Sequence, residues 1–165
     1  MAEGRPAARA RRARAIAFAR AGTVVVAVLI ADRLTKNAVV SGIPVGQADH
    51  VVPGVQLVHV QNSGVAFGFF SGGGALVLAL TAIALVALVA YFLARPMRRG
   101  LWLPTGLLVG GAIGNLTDRL VNGSVTDFIK LPHWPAFNVS DIAITIGVLL
   151  LIYVLEGPPS RRLRT

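Results

Sequence analysis

The stretch "ALVLALTAIALVALVAYFLA", residues 75 to 94, runs twenty residues without a charge. As a helix it is long enough to cross the roughly 30 Å of hydrocarbon in a bilayer. The rest of the composition agrees. Of 165 residues 55% are hydrophobic and 14% charged, and the mean hydropathy is +0.69. That is too apolar for an ordinary soluble domain of this length, so the chain reads as a membrane protein.

Working outward, residues 101–120 form a second apolar run, polar only towards its end at Asn115, Asp118 and Arg119. Residues 139–155 form another, with Asp141 near its start. The first span is less obvious, because only eleven uncharged residues separate Arg20 from Asp32. A span there must carry charge into its ends, and Arg20 can snorkel on its long stem. A cleaved signal peptide is the rival reading of this start, but no small-x-small site precedes "DRLTK".

The basic residues then sort by side. Arg5, Arg9, Arg11, Arg12, Arg14 and Arg20 precede span one; Arg95, Arg98 and Arg99 fill the loop after span two; Arg161, Arg162 and Arg164 close the chain. These are twelve of the sixteen Lys and Arg residues, and in a four-span arrangement they share one side, cytoplasmic by the positive-inside rule. Asp32, Asp49, Asp118, Asp127 and Asp141 fall on the other half. The net charge of +9 therefore reads as topology and contact with anionic lipid, not as a nucleic-acid footprint. The expected fold is mainly α, with four transmembrane helices and both termini cytoplasmic. Residues 1–165 form a single domain: a disordered basic tail at 1–15, an extracytoplasmic β-like segment at 41–71, and a basic tail at 157–165. Within the outer segment, "PGVQLVHVQN" at 53–62 combines a Pro-Gly turn with a β-branched run and predicts a strand or hairpin.

Several polar residues sit where they are costly. Gly106, Gly110 and Gly114 recur every four residues beside Gly111, a strip along which another helix can approach closely. Asn115, Asp118 and Arg119 continue that packed side. Asp32 and Lys36, four apart, can pair along span one as a structural ion pair. Asp118 and Arg119 read either as an interface salt bridge or as a supporting acid beside an arginine free to meet an anion or a carbonyl.

Asp127 and Asp141 differ from these. No basic residue stands at helical spacing from Asp141, and Pro132 and Pro135 interrupt any helix that would pair Asp127 with Lys130. Capping of span four explains Asp141 alone, but leaves Asp127 without a role. A short outer loop joins spans three and four, so their ends bring the two carboxylates within reach. Close carboxylates tend to share one proton, which is the chemistry of an aspartic protease. Other chemistries fit poorly. Cysteine is absent, there is no HExxH, and His50, His59 and His133 are scattered. No nucleophile motif surrounds Ser124. A proton-coupled transporter or a membrane scaffold remains an alternative, although the polar residues cluster at one end and leave no relay across the chain.

Four ordered blocks carry a resemblance: "DRLTK" at 32–36, "NSGVAFG" at 62–68, "GNLTDRLVNGSVTDF" at 114–128 and "FNVSD" at 137–141. On these the chain resembles the lipoprotein signal peptidase, or signal peptidase II, family. Ser140 and Val65 stand where the family often has alanine. The resemblance implies an aspartic endopeptidase of the bacterial cytoplasmic membrane, working near the extracytoplasmic face. Its substrates would be prolipoproteins, cut just before a diacylglyceryl-modified cysteine. By motif match Asp127 and Asp141 would be catalytic. Asn62, Gly64, Asn115, Arg119 and Asn138 would bind substrate or shape the site, with Asp32, Lys36 and Asp118 in support. The family's outer cradle would correspond to residues 43–62. Membrane lipids are the other expected partners; no metal, cofactor or nucleic acid is expected, and the chain is expected to be a monomer.

Overall fold

The computed structural model describes residues 4–63 and 74–157. In chain order these form helix α1 (Gly4–Gly42), strands β1 (Ala48–Val52) and β2 (Val55–Asn62), helices α2 (Gly74–Ala94) and α3 (Trp102–Asn122), strand β3 (Val125–Lys130) and helix α4 (Val139–Glu156). The protein is mainly helical, with one small antiparallel sheet in the order β1-β2-β3.

Helix α3 is the centre of the bundle and packs against α1, α2, α4 and β3. Its buried residues are small or polar, among them Thr105, Gly110, Gly111, Gly114, Asn115 and Asp118. Two glycines make the close approach possible. A Cβ on Gly110 would lie 2.9 Å from Val28 Cβ of α1, and one on Gly111 would lie 2.5 Å from the Ser140 carbonyl oxygen of α4. Neither backbone can retreat without separating the helices. Helices α1 and α4 are long and apolar enough to cross a membrane, and the apolar run described in α2 is Ala79–Ala94. Helix α3 owes its lower hydropathy to its polar end, which packs against protein.

Two apolar clusters mark the ends of the bundle. Ala17 and Ala21 of α1 pack with Phe92 and Leu101 at one end. At the other, Val39 and Ile43 pack with Phe128 of β3. The basic stretch expected to be disordered is instead helical from Gly4. Alanine and arginine are strong helix formers, and lengthening a helix already nucleated avoids the costly first turn. The expected β-like segment is narrower than 41–71: α1 runs to Gly42, and strands occupy Ala48–Val52 and Val55–Asn62. Residues 1–3, 64–71 and 158–165 of the expected segments lie outside the described residues.

The hairpin forms where the Pro-Gly signal put it. Val52 pairs with Val55 across Pro53 and Gly54, and Gly54 takes the positive φ of +82° that the turn requires. The third strand, "VTDFIK", was not anticipated in the outer connection. It pairs with β2 in antiparallel register, with Val60 opposite Asp127 and Asn62 opposite Val125.

Candidate active site

Strand β3 places Asp127. Side chains alternate across a strand, so Phe128 turns into the α1 cluster while Asp127 faces the opposite way. Asn62 stands diagonal to Asp127 on the neighbouring strand, on the same face. Its Nδ2 donates to Asp127 Oδ2 at 2.9 Å. Asn138 Nδ2 donates to the other carboxylate oxygen, Oδ1, at 2.7 Å. Asp127 is 3% exposed. Burial pushes its carboxyl up from 3.8 to about 6. The hydrogen bonds from Asn62 and Asn138 oppose that rise, the Asp141 charge adds to it, and Lys36 works weakly against it.

The first turn of α4 places Asp141. Asn138 is the N-cap, and the two residues form a reciprocal capping box. Asp141 N–H donates to Asn138 Oδ1 at 3.0 Å, and Asn138 N–H donates to Asp141 Oδ2 at 3.2 Å. The remaining carboxylate oxygen, Oδ1, accepts from Asn115 Nδ2 at 2.7 Å. Asn138, fully buried, thus touches both acids at once. The connector from 131 to 136 is pinned at its base. Phe137 and Ile129 form a β-bridge with N–H···O distances of 2.8 and 3.0 Å, and Lys130 Nζ donates to the Trp134 carbonyl at 2.7 Å.

Beneath this pair lies a buried charge cluster. Lys36 Nζ stands 2.7 Å from Asp32 Oδ2, 2.8 Å from Asp118 Oδ2 and 3.4 Å from Asn115 Oδ1. All three charged side chains are almost fully buried. Asp32 Oδ1 accepts the backbone N–H of Ser140 at 3.0 Å, which ties the start of α4 to α1. Asp118 therefore pairs with Lys36, and at 4.0 Å with Arg33, rather than with its neighbour Arg119. The i,i+1 positions on a helix do not face each other. Among the described residues the Arg119 guanidinium makes no hydrogen bond or ion pair. Gly64 lies outside the described residues.

One network had gone unnoticed in the sequence. Buried His59 bonds the Ile43 carbonyl through Nδ1 at 2.7 Å and Gln61 Nε2 through Nε2 at 3.0 Å. Gln61 in turn joins Thr126 and Ser124 of the β3 segment. The histidine read as scattered is a strut between the residue that follows α1 and the sheet, and only strand register could have revealed it. Among the described residues no group of three or more His, Cys, Asp or Glu side chains is placed to hold a metal ion.

The sequence model described as Signal peptidase (SPase) II matches residues 24–156, an interval that holds all four sequence blocks. The chain belongs to the signal peptidase II family. Two relatives named lipoprotein signal peptidase agree. That of Burkholderia thailandensis is 41% identical over 134 residues, covering 76% of this chain and 81% of the relative. That of Thermodesulfovibrio yellowstonii is 35% identical over 130 residues, covering 76% and 87%. The fold is similar to a solved structure described as a bacterial membrane enzyme, determined in meso at 2.3 Å, with a TM-score of 0.74 and 31% identity over 88% of this chain and 92% of that one. A second, at 1.9 Å, gives 0.70 and 33% over 82% and 91%. As a signal peptidase II member the chain is a membrane protease of lipoprotein processing, and the acids linked through Asn138 lie within the matched interval.

Proposed function

We propose that this signal peptidase II member is an aspartic endopeptidase that hydrolyses the amide bond before the diacylglyceryl-modified cysteine of prolipoproteins. Asp127 and Asp141 form the catalytic pair. The observation that carries this reading is that Asn138 donates to both carboxylates, with Asp127 pushed up to about 6. A buried acid with a raised pKa is suited to holding the shared proton. Asp141 then takes a proton from water as the water oxygen bonds to the scissile carbonyl carbon. The proton on Asp127 polarises that carbonyl, and the C–N bond breaks as the cysteine nitrogen is protonated. The products are a signal peptide with a free carboxylate and a lipidated cysteine with a free amine. Asn62, Asn115 and Asn138 hold the acids, and Gly64 and Arg119 meet the substrate.

In this reading the chain works as a monomer in the bacterial cytoplasmic membrane. Its four helices span the bilayer, both termini are cytoplasmic, and β1 to β3 lie at the extracytoplasmic face. The acyl chains of the modified cysteine stay in the bilayer, so the scissile bond reaches the depth of the two acids without leaving the lipid. Asp127→Asn and Asp141→Asn variants, correctly inserted and given a diacylglyceryl prolipoprotein, should each lose turnover by at least about 10³-fold. Near-normal cleavage by either would remove the pair from the mechanism.

A further inference from the structure

At the end of the bundle away from Asp127, the N-terminal part of α1 and the loop after α2 border an open cleft of about 740 Å³. Arg11, Arg14, Arg95 and Arg98 line it together with apolar residues such as Ala10, Pro96 and Met97, and no acid among the described residues takes part. Arg98 is already committed. Its guanidinium donates to the Tyr91 hydroxyl at 2.7 Å and to the Val154 and Leu155 carbonyls at 2.9 and 2.7 Å, clamping the loop to the end of α4. The guanidinium groups of Arg11, Arg14 and Arg95 make no hydrogen bond or ion pair among the described residues. Cations gathered around one hollow without an acid repel each other, and the arrangement is relieved by an anion. A guanidinium fork matches phosphate oxygens two at a time.

We propose that this cleft binds the headgroup of an anionic phospholipid. Its volume exceeds what a lone phosphate fills, and its apolar wall suits the glycerol and first acyl carbons. Depth agrees. Arg20, whose long stem can snorkel, precedes the uncharged run of α1, and Arg14 stands about 9 Å further out along the helix, within reach of the headgroup layer. The cleft therefore lies at the lipid surface opposite the acids. The site is independent of the peptidase chemistry and needs only that α1 lie in a bilayer.

The test uses the delipidated full chain in a zwitterionic detergent, with native mass spectrometry and thermal unfolding as readouts. The probes are phosphatidylglycerol, phosphatidylcholine and inorganic phosphate. Phosphatidylglycerol should bind at least tenfold more tightly than phosphatidylcholine. The triple variant Arg11→Gln, Arg14→Gln, Arg95→Gln should lose that preference. The charge-matched control Arg9→Gln, Arg12→Gln, Arg99→Gln, altered at the same end but outside the cleft, should keep it. Should the first triple variant not fold, Arg95→Gln alone decides, with an expected loss of at least threefold. Equal loss in cleft and control variants, or no loss in either, overturns the site. Displacement of the lipid by millimolar phosphate would reduce it to a bare-anion site and overturns the lipid assignment.

Discussion

Asn115 donates its side-chain amide to Asp141 Oδ1 at 2.7 Å, and its own oxygen is held from behind. Asn115 Oδ1 stands 3.2 Å from Asn138 Nδ2 and 3.4 Å from Lys36 Nζ. Those two donors fix which way the amide points, so its N–H group can only face the acid. Asn115 is thus the relay between the buried charge cluster and the proposed active site. Asn115→Leu should leave Asp141 short of a donor and cost about 1–3 kcal/mol of positioning, or roughly 5- to 150-fold in kcat with KM little changed. The split between kcat and KM, measured on the diacylglyceryl substrate, checks it; a change in KM alone would make Asn115 a substrate contact instead.

The raised pKa of Asp127 makes two pH predictions. If Asp127 must enter the reaction protonated, kcat falls as pH rises through about 6. Asn62 favours the charged form, so Asn62→Leu should move that limb to higher pH. The sign for stability follows from linkage. The folded value lies above the ordinary 3.8, so the contribution of this group is fully present below about pH 4 and is lost as pH rises through about 6. Asp127→Asn should flatten that part of the profile of melting temperature against pH. A profile unchanged by the substitution would assign the titration to another group.

The sequence disclosed the helices well and the site unevenly, for physical reasons. Helix α2 announces itself by uncharged length and α3 and α4 by long apolar runs, and their bounds stand within two residues of those runs. Asp127 and Asp141 stood out because a lone carboxylate beside apolar sequence is expensive. Strand β3 was missed because residues 125–130 bear no alternation: four of the six are buried, since one face meets the α1 cluster and the other carries Asp127 into the site. The partner of Asp118 was missed for a different reason. Lys36 is far away in sequence and is brought near only by the glycine contacts of α3, and no local spacing encodes a contact between helices. The N-terminal tail was misjudged from composition alone, with too little weight on helix continuation.

Lys36 is the only cation within hydrogen-bonding range of Asp32 and Asp118 among the described residues, apart from Arg33 at 4.0 Å from Asp118. Lys36→Met would strand two buried carboxylates, and removing one partner of a buried pair typically costs about 3–5 kcal/mol. The variant should melt well below the wild type in detergent. Adding Asp118→Asn and Asp32→Asn should restore part of that loss, because the stranded charges go with the cation. If the triple variant melts no higher than the single one, the loss comes from packing of the lysine stem and not from the charge cluster.

Ser140 offers a prediction of opposite sign. Its backbone N–H holds Asp32, but its side-chain oxygen is buried without a hydrogen-bond partner among the described residues. That oxygen lies against Gly114, where an added Cβ would collide with it. A buried hydroxyl without a partner keeps its desolvation cost and returns nothing. Ser140→Ala removes the hydroxyl while leaving the N–H to Asp32 and the helical φ/ψ untouched, and alanine is the better helix former. The substitution should stabilise the protein by about 1 kcal/mol, with prolipoprotein cleavage unchanged. Gly114→Ala, which forces a methyl group into the same contact, should instead destabilise by about 1–3 kcal/mol. Thermal unfolding of both variants in one detergent decides the matter. A destabilised Ser140→Ala with slowed cleavage would mean that the hydroxyl is bonded in the working protein and helps to seat the first turn of α4, and with it Asp141.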